Sequence, residues 1–235
     1  MRSSRFDTGR RDVLLGGAGL GLGLLTGCTR ERDMQTDEED EPEEEVTPTE
    51  DLMREHGVLE RLLLVYEAAL ARFAAHDVSP LATLDPATDL MRRFVEDYHE
   101  KLEEQFLFPR LEEAGEHQEL VATLRRQHQR GRELTDAIRK ASAGPSLDAL
   151  AAEGPLQVAL RGYVRMMRPH AAREDTVVFP AFRGLVRGPA FVELGERFEE
   201  KEHALFGGGG FQTIVAEVGE LEKALEIHDL ERFTP

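Results

Sequence analysis

The feature that most constrains this chain is an internal repeat of chemistry-bearing residues. His99-Glu-Lys-Leu-Glu103-Glu-Gln-Phe-Leu-Phe108-Pro109 is answered by His170-Ala-Ala-Arg-Glu174-Asp-Thr-Val-Val-Phe179-Pro180. Each copy has a His, a Glu four residues later, and Phe-Pro five and six residues beyond the Glu. Each also has a His upstream: His56 lies 43 residues before His99, and His128 lies 42 before His170. Residues four apart share one face of a helix, so each His-x-x-x-Glu projects as a pair. The chain therefore reads as two helix pairs, each offering one His and then a His/Glu pair. Side by side in an antiparallel bundle, they bring four imidazoles and two carboxylates to one depth. Six such groups are costly to bury uncompensated. Two cations remove that cost, because each carboxylate can bridge both ions while two imidazoles remain for each. Imidazole suits iron, zinc, copper and nickel alike.

Composition supports the helical premise. Leu, Ala, Glu and Arg dominate, aromatics make up 6% and Trp is absent, a mixture of strong helix formers with few β-branched runs. Thr47-Pro48-Thr49-Glu50 is a capping box with Pro at the first helical position. A first helix is expected from there to about residue 75, a second over about 86–108 after Ser79-Pro80 and Asp85-Pro86, and a third over about 116–142. A fourth is expected over about 146–183, with Gly154-Pro155 and Pro169 as breaks or kinks. Gly188-Pro189 opens a further helix to about Phe206, Gly207–Gly210 is a loop, and a last helix covers about 211–228. The expected fold is all-α: an up-down four-helix bundle over 47–185 with C-terminal helices in 186–235.

At Leu-Met-Arg-Glu-His56, Asp-Tyr-His99-Glu-Lys-Leu-Glu103-Glu, Gln-His128-Gln-Arg-Gly-Arg and Pro-His170-Ala-Ala-Arg-Glu174-Asp with its Phe-Pro, the chain resembles bacterial hemerythrin-like proteins of the His-His-Glu type. The resemblance implies a non-haem centre of two iron ions, with Glu103 and Glu174 bridging and His56, His99, His128 and His170 as terminal ligands. It implies a small diatomic ligand (O2 or NO) or peroxide, bound for sensing, scavenging or delivery. The alternatives are a di-iron enzyme of peroxidase, NO-handling or iron-centre-repair type, and ferritin-like iron storage. Iron over other metals rests on the resemblance alone. Oxygen-carrying hemerythrins resemble this scheme but bring two histidines, four apart, on the third helix; here Arg132 stands four after His128. That departure implies an open position at both metals and weakens the case for a simple oxygen carrier.

Other residues carry less. His56-Gly-Val-Leu-Glu60 has the paired spacing, but Arg132 stands at the equivalent of Glu60, so Glu60 is expected to be solvated or to support a ligand. Glu96-x-x-His99 and Glu200-x-x-His203 match ferritin-like spacing, a reading that leaves the repeat unexplained. His203 is expected at the surface, and His76, His117 and His228 at helix ends. Tyr98 and Tyr163 are expected in the core. Phe106, Phe108, Phe179 and Phe182 are expected to pack one end of the bundle.

The N-terminus has a different logic. Residues 1–11 are basic, and Val13–Thr26 is a 14-residue uncharged stretch leading to Leu25-Thr26-Gly27-Cys28, the only cysteine. That stretch is too short to span a bilayer comfortably, and its glycines disfavour a packed helix. Residues 1–28 read as a secretory signal and resemble a bacterial lipoprotein signal with Cys28 as the lipidated residue. Arg10-Arg11 also looks like a twin-arginine signal. The expectation is an exported protein anchored by an N-terminal lipid, facing the periplasm or cell exterior, with its redox partner undetermined. Of the net charge of −17, residues 31–45 supply −9; 29–46 reads as an acidic, disordered linker. That balance excludes nucleic acid as an expected partner.

Overall fold

In a computed structural model of the chain, residues 46–144 and 154–234 are described. The expected signal over 1–28, with Cys28 as its expected lipidation site, and the expected linker up to residue 45 lie outside them. The described residues are helical throughout, with no strand among them and no helix long and apolar enough to cross a membrane.

Helix α1 is Pro48–Ala74, and its capping box forms as the sequence dictates: the Thr47 hydroxyl accepts from the Glu50 amide while the Glu50 carboxylate accepts from the Thr47 amide. Its buried stripe of Leu52, His56, Leu59 and Leu63 recurs at helical spacing, so His56 occupies a core position. Helix α2 runs unbroken from Leu81 to Ala114, longer at both ends than expected. Pro86 lies within the first two turns, and the helix passes it without a break. At the far end Gly115, at φ 75°, closes the helix with Glu116 N–H on the Leu111 carbonyl and Gly115 N–H on that of Glu112. Helix α3 is Gln118–Ser142, with Val121, Leu124, His128, Gly131, Thr135 and Ile138 as its buried stripe. Helix α4 runs from Pro155, at its first position, to Leu185 and contains Pro169 without breaking. These four pack as the expected bundle.

Three π-helical stretches lie within α2 and α4: Met91–His99, Glu103–Leu107 and Glu174–Val178. Two of them begin on the repeated glutamates, and the Phe-Pro motif explains both. Pro109 and Pro180 have no N–H, which removes one ordinary backbone bond from the turn before them and favours a wider turn. The Phe108 amide therefore reaches back five residues to the Glu103 carbonyl, and the Phe179 amide to that of Glu174. One extra residue enters each turn. Such bulges gather at functional sites.

Two further helices, α5 (Pro189–Phe206) and α6 (Gly210–Ala224), follow the bundle. They bury Leu194, Phe198, Ile214, Val218 and Leu221 and cover the α1/α2 face. Phe198 meets Phe106 and Phe206 meets Tyr98, at centroid separations of 5.6 and 5.3 Å. A two-point Arg61–Glu222 pair, at 2.8 and 2.6 Å, ties α6 to α1.

Candidate metal centre

Each helix of the bundle delivers its polar group into the core. His56 comes from α1, His99 and Glu103 from α2, His128 from α3, and His170 and Glu174 from α4. All six are at most 5% exposed. Glu103, His128, His170 and Glu174 offer ligand atoms within 4.8 Å of one another, and so do His56, His99 and Glu103. Glu103 Oε2 lies 3.8 Å from His99 Nε2 and 3.4 Å from His128 Nε2. Glu174 lies 3.4 Å from His56 Nε2, 3.0 Å from His170 Nε2 and 3.7 Å from His128 Nε2. Each carboxylate thus faces imidazoles of both halves.

The far nitrogen of every ring is held. His56 Nδ1 donates to Asp175 Oδ1 at 2.7 Å, His99 Nδ1 to Glu55 Oε2 at 2.6 Å, His128 Nδ1 to Glu104 Oε1 at 3.1 Å and His170 Nδ1 to Gln127 Oε1 at 3.0 Å. These contacts fix each ring with Nε2 turned inward, and where the partner oxygen accepts, a ring proton sits on Nδ1. These four partners obey the repeat. The residue preceding each upstream His (Glu55, Gln127) holds its own half's second His; the residue following each Glu (Glu104, Asp175) holds the upstream His of the other half.

The aromatic partners obey it too. Phe179 stacks on His56 at 5.4 Å and 18°, and Phe108 on His128 at 5.5 Å and 24°. The expectation that these phenylalanines pack one end of the bundle is therefore corrected: the π turns carry them onto the rings.

The inward atoms are what a cation would require. His56 Nε2, His99 Nε2 and both oxygens of Glu103 and of Glu174 are buried without a hydrogen-bond partner. Leaving such groups unpaired costs on the order of 1–3 kcal/mol each. With no cation, protons carry part of the compensating charge. Against burial, the carboxylates of Asp175 and Glu174 push His56 up to about 10, and His128 is likewise raised by Glu100, Glu103 and Glu104. Burial lowers His99 and His170. Burial and the Glu174 charge push Glu103 up to about 7, while His170, His128 and His56 hold Glu174 ionised despite its burial. Imidazole nitrogens and carboxylate oxygens in this ratio fit a first-row divalent or trivalent metal.

Arg132 points away from the six. Its guanidinium pairs with Glu100 at 2.7 Å and Glu104 at 2.8 Å, and so supports the group holding His128. Glu60 is exposed and pairs with Arg168 at 2.8 Å, as a solvated residue should. Glu96 is buried, but its partners are Thr135 at 2.5 Å, Tyr163 at 3.3 Å and Arg92 at 2.9 Å. His203 and Glu200 are exposed, which leaves the ferritin-like spacing without a site. His76, His117 and His228 are also exposed, beyond or between helices.

Residues 47–182 match the family described as Hemerythrin HHE cation binding domain. The chain is 44% identical to the uncharacterized proteins Mb2018 of Mycobacterium bovis and Rv1995 of Mycobacterium tuberculosis, over 97% of this chain and 91% of each of theirs. No solved structure matches.

Proposed function

Because the chain belongs to the hemerythrin HHE cation-binding family, we propose that it binds two iron ions among His56, His99, Glu103, His128, His170 and Glu174 and engages a small diatomic molecule or peroxide there. The observation that carries this reading is the pair of carboxylates facing imidazoles of both halves, with every Nδ1 already committed. His56 and His99 form one terminal pair, His128 and His170 the other, and Glu103 and Glu174 are the groups shared between them. When bound, the metal pair supplies Lewis acidity and one-electron redox chemistry toward small oxygen and nitrogen ligands.

The chain's own residues do the rest. Phe108 and Phe179 keep the rings dry and fixed. Asp175, Glu104, Glu55 and Gln127 set tautomer and orientation, and the three carboxylates among them raise the basicity of their rings. With four imidazoles and two carboxylates for two metals, positions stay open for an exogenous ligand. A groove between α1 and α4, with a volume of about 370 Å³, reaches His56 and Asp175 past Gly57, Ala171 and Ala172. These small residues leave room for a small molecule to approach.

The test is the visible spectrum of the iron-loaded protein with air, azide, peroxide and NO. New absorption bands with each added ligand support binding at open positions, and consumption of peroxide or NO over many equivalents makes the protein an enzyme. A spectrum indifferent to all of them contradicts the reading. The N-terminal segment is read as an export signal placing a lipid on Cys28, so that the domain works at a membrane surface outside the cytoplasm. Loss of membrane association in Cys28→Ala is the corresponding expectation.

A further inference from the structure

The two halves of the repeat are alike at the six ligands and unlike beside them. Positions on α1 recur on α3 72 residues later, as His56 does at His128, and positions on α4 answer those on α2 71 residues earlier, as His170 answers His99. The groove that reaches His56 between α1 and α4 therefore has a counterpart between α3 and α2, beside His128. Its walls are made of different residues. Gly57 is replaced there by Gln129 and Glu60 by Arg132, while Ala171, Ala172 and Asp175 are replaced by Glu100, Lys101 and Glu104. In the first half the small residues leave the space beside His56 unfilled, and a Cβ at Gly57 would meet nothing within 4 Å. Glu60 turns outward to Arg168, at 2.8 Å, with both side chains exposed to solvent. In the second half the corresponding space holds side chains and charge. Arg132 turns inward, 2.7 Å from Glu100 and 2.8 Å from Glu104, and donates to the Glu96 carbonyl at 3.3 Å. Lys101 meets Glu104 at 2.5 Å. The difference shows at the acids that hold the upstream rings: the Asp175 side chain is 34% exposed and that of Glu104 16%.

We propose that, of these two equivalent entrances, small ligands use only the α1/α4 groove, and that Arg132, Glu100, Glu104 and Lys101 plug its α2/α3 counterpart. The inference rests on the proposed function, since it concerns the route to the metal pair. Passage on the plugged side requires breaking a part-buried ion-pair network and leaving buried Glu100 without its partner, which is costly. Passage on the open side breaks no bond. Gly57 and Ala172, on facing walls, set the width of the entrance, and the ligand arrives beside His56 and Asp175 while the His128 side stays closed. A centre symmetric in its six ligands is thereby made one-sided.

The test is stopped-flow absorbance of azide binding to, and release from, the iron-loaded full-length protein. Gly57→Leu and Ala172→Leu should each slow association about tenfold or more, with the entrance rather than the metals limiting the rate. Release should slow by the same factor, because a narrowed entrance raises the barrier in both directions and leaves the equilibrium constant unchanged. Gln129→Leu, the change at the counterpart of Gly57, should leave both rates at the wild-type value. Iron content and the ligand-free spectrum, unchanged in all three variants, show that the centre itself is intact. Three results overturn the proposal: wild-type rates in both Gly57→Leu and Ala172→Leu, equal slowing in Gln129→Leu, or slower association with unchanged release. In each of these the wild type still binds azide, so the proposed function stands. A wild type that holds iron but whose spectrum ignores azide contradicts the proposed function, and this inference falls with it.

Discussion

Each central imidazole turns its Nε2 inward because an oxygen from a neighbouring helix holds its other nitrogen. Asp175→Ala or Glu104→Ala frees a ring to rotate and to change tautomer, so metal affinity should fall about 10- to 100-fold, measured by competition with a chelator. Unchanged affinity in both would mean that the rings are fixed by Phe179 and Phe108 alone. Protons compete with the metal for the same atoms. In the cation-free protein His56 titrates at about 10 and Glu103 at about 7, so a bound cation must displace the His56 proton throughout the neutral range, and that of Glu103 as well below about 7. Affinity should therefore rise with pH, about tenfold per pH unit for each proton displaced, and proton release should accompany uptake. For the cation-free fold the sign is opposite. A His pKa raised from 6.5 to about 10 stabilises the fold fully below about 6.5, and that stabilisation is lost as pH rises through 10. The six central residues were legible because His-x-x-x-Glu occurs twice with matched neighbours. Their four partners were not, since reaching across to another helix depends on helix crossing rather than spacing. A signal existed all the same: Glu55-His56 answers Gln127-His128, and Glu103-Glu104 answers Glu174-Asp175.

At the scale of elements, the repeated Phe-Pro acts through the backbone. Pro109 and Pro180 each follow a π turn that starts on Glu103 and on Glu174, next to the phenylalanine that stacks on an imidazole. Pro109→Ala and Pro180→Ala restore the missing N–H, and an ordinary α turn becomes available. Helicity should stay unchanged by circular dichroism, while metal affinity falls by roughly tenfold or more, the scale of loss when a ligand's support is disturbed. Full retention in both variants would show that the π turn does not position the ligands. A period of 3.6 residues cannot reveal an inserted residue, which is why Phe108 and Phe179 looked like packing at one end. It also explains α2, where each Pro was expected to bound the helix: Pro86 sits close to its start, and Pro109 is passed by widening the turn. The boundaries at Thr47 and at Gly188-Pro189 were legible because capping chemistry is local.

For the whole molecule, the proposed function makes a metal part of the fold. The six partnerless atoms at the bundle centre are buried against a mostly apolar core, and the cation that satisfies them binds the native chain far better than the unfolded one. At a free metal concentration 100 times the dissociation constant, the linkage supplies about 2.7 kcal/mol. For a chain of this length that corresponds to a rise in melting temperature of roughly 5–10 °C. Calorimetry before and after chelation measures it; equal melting temperatures would mean that the cluster is satisfied without a cation. The central claim is that six residues from two related halves hold a pair of iron ions, and elemental analysis tests it most directly. Protein matured through its own export route should carry about two irons per chain, and Glu103→Ala combined with Glu174→Ala should bring that towards none. A double variant that folds and retains its full metal content would contradict the assignment.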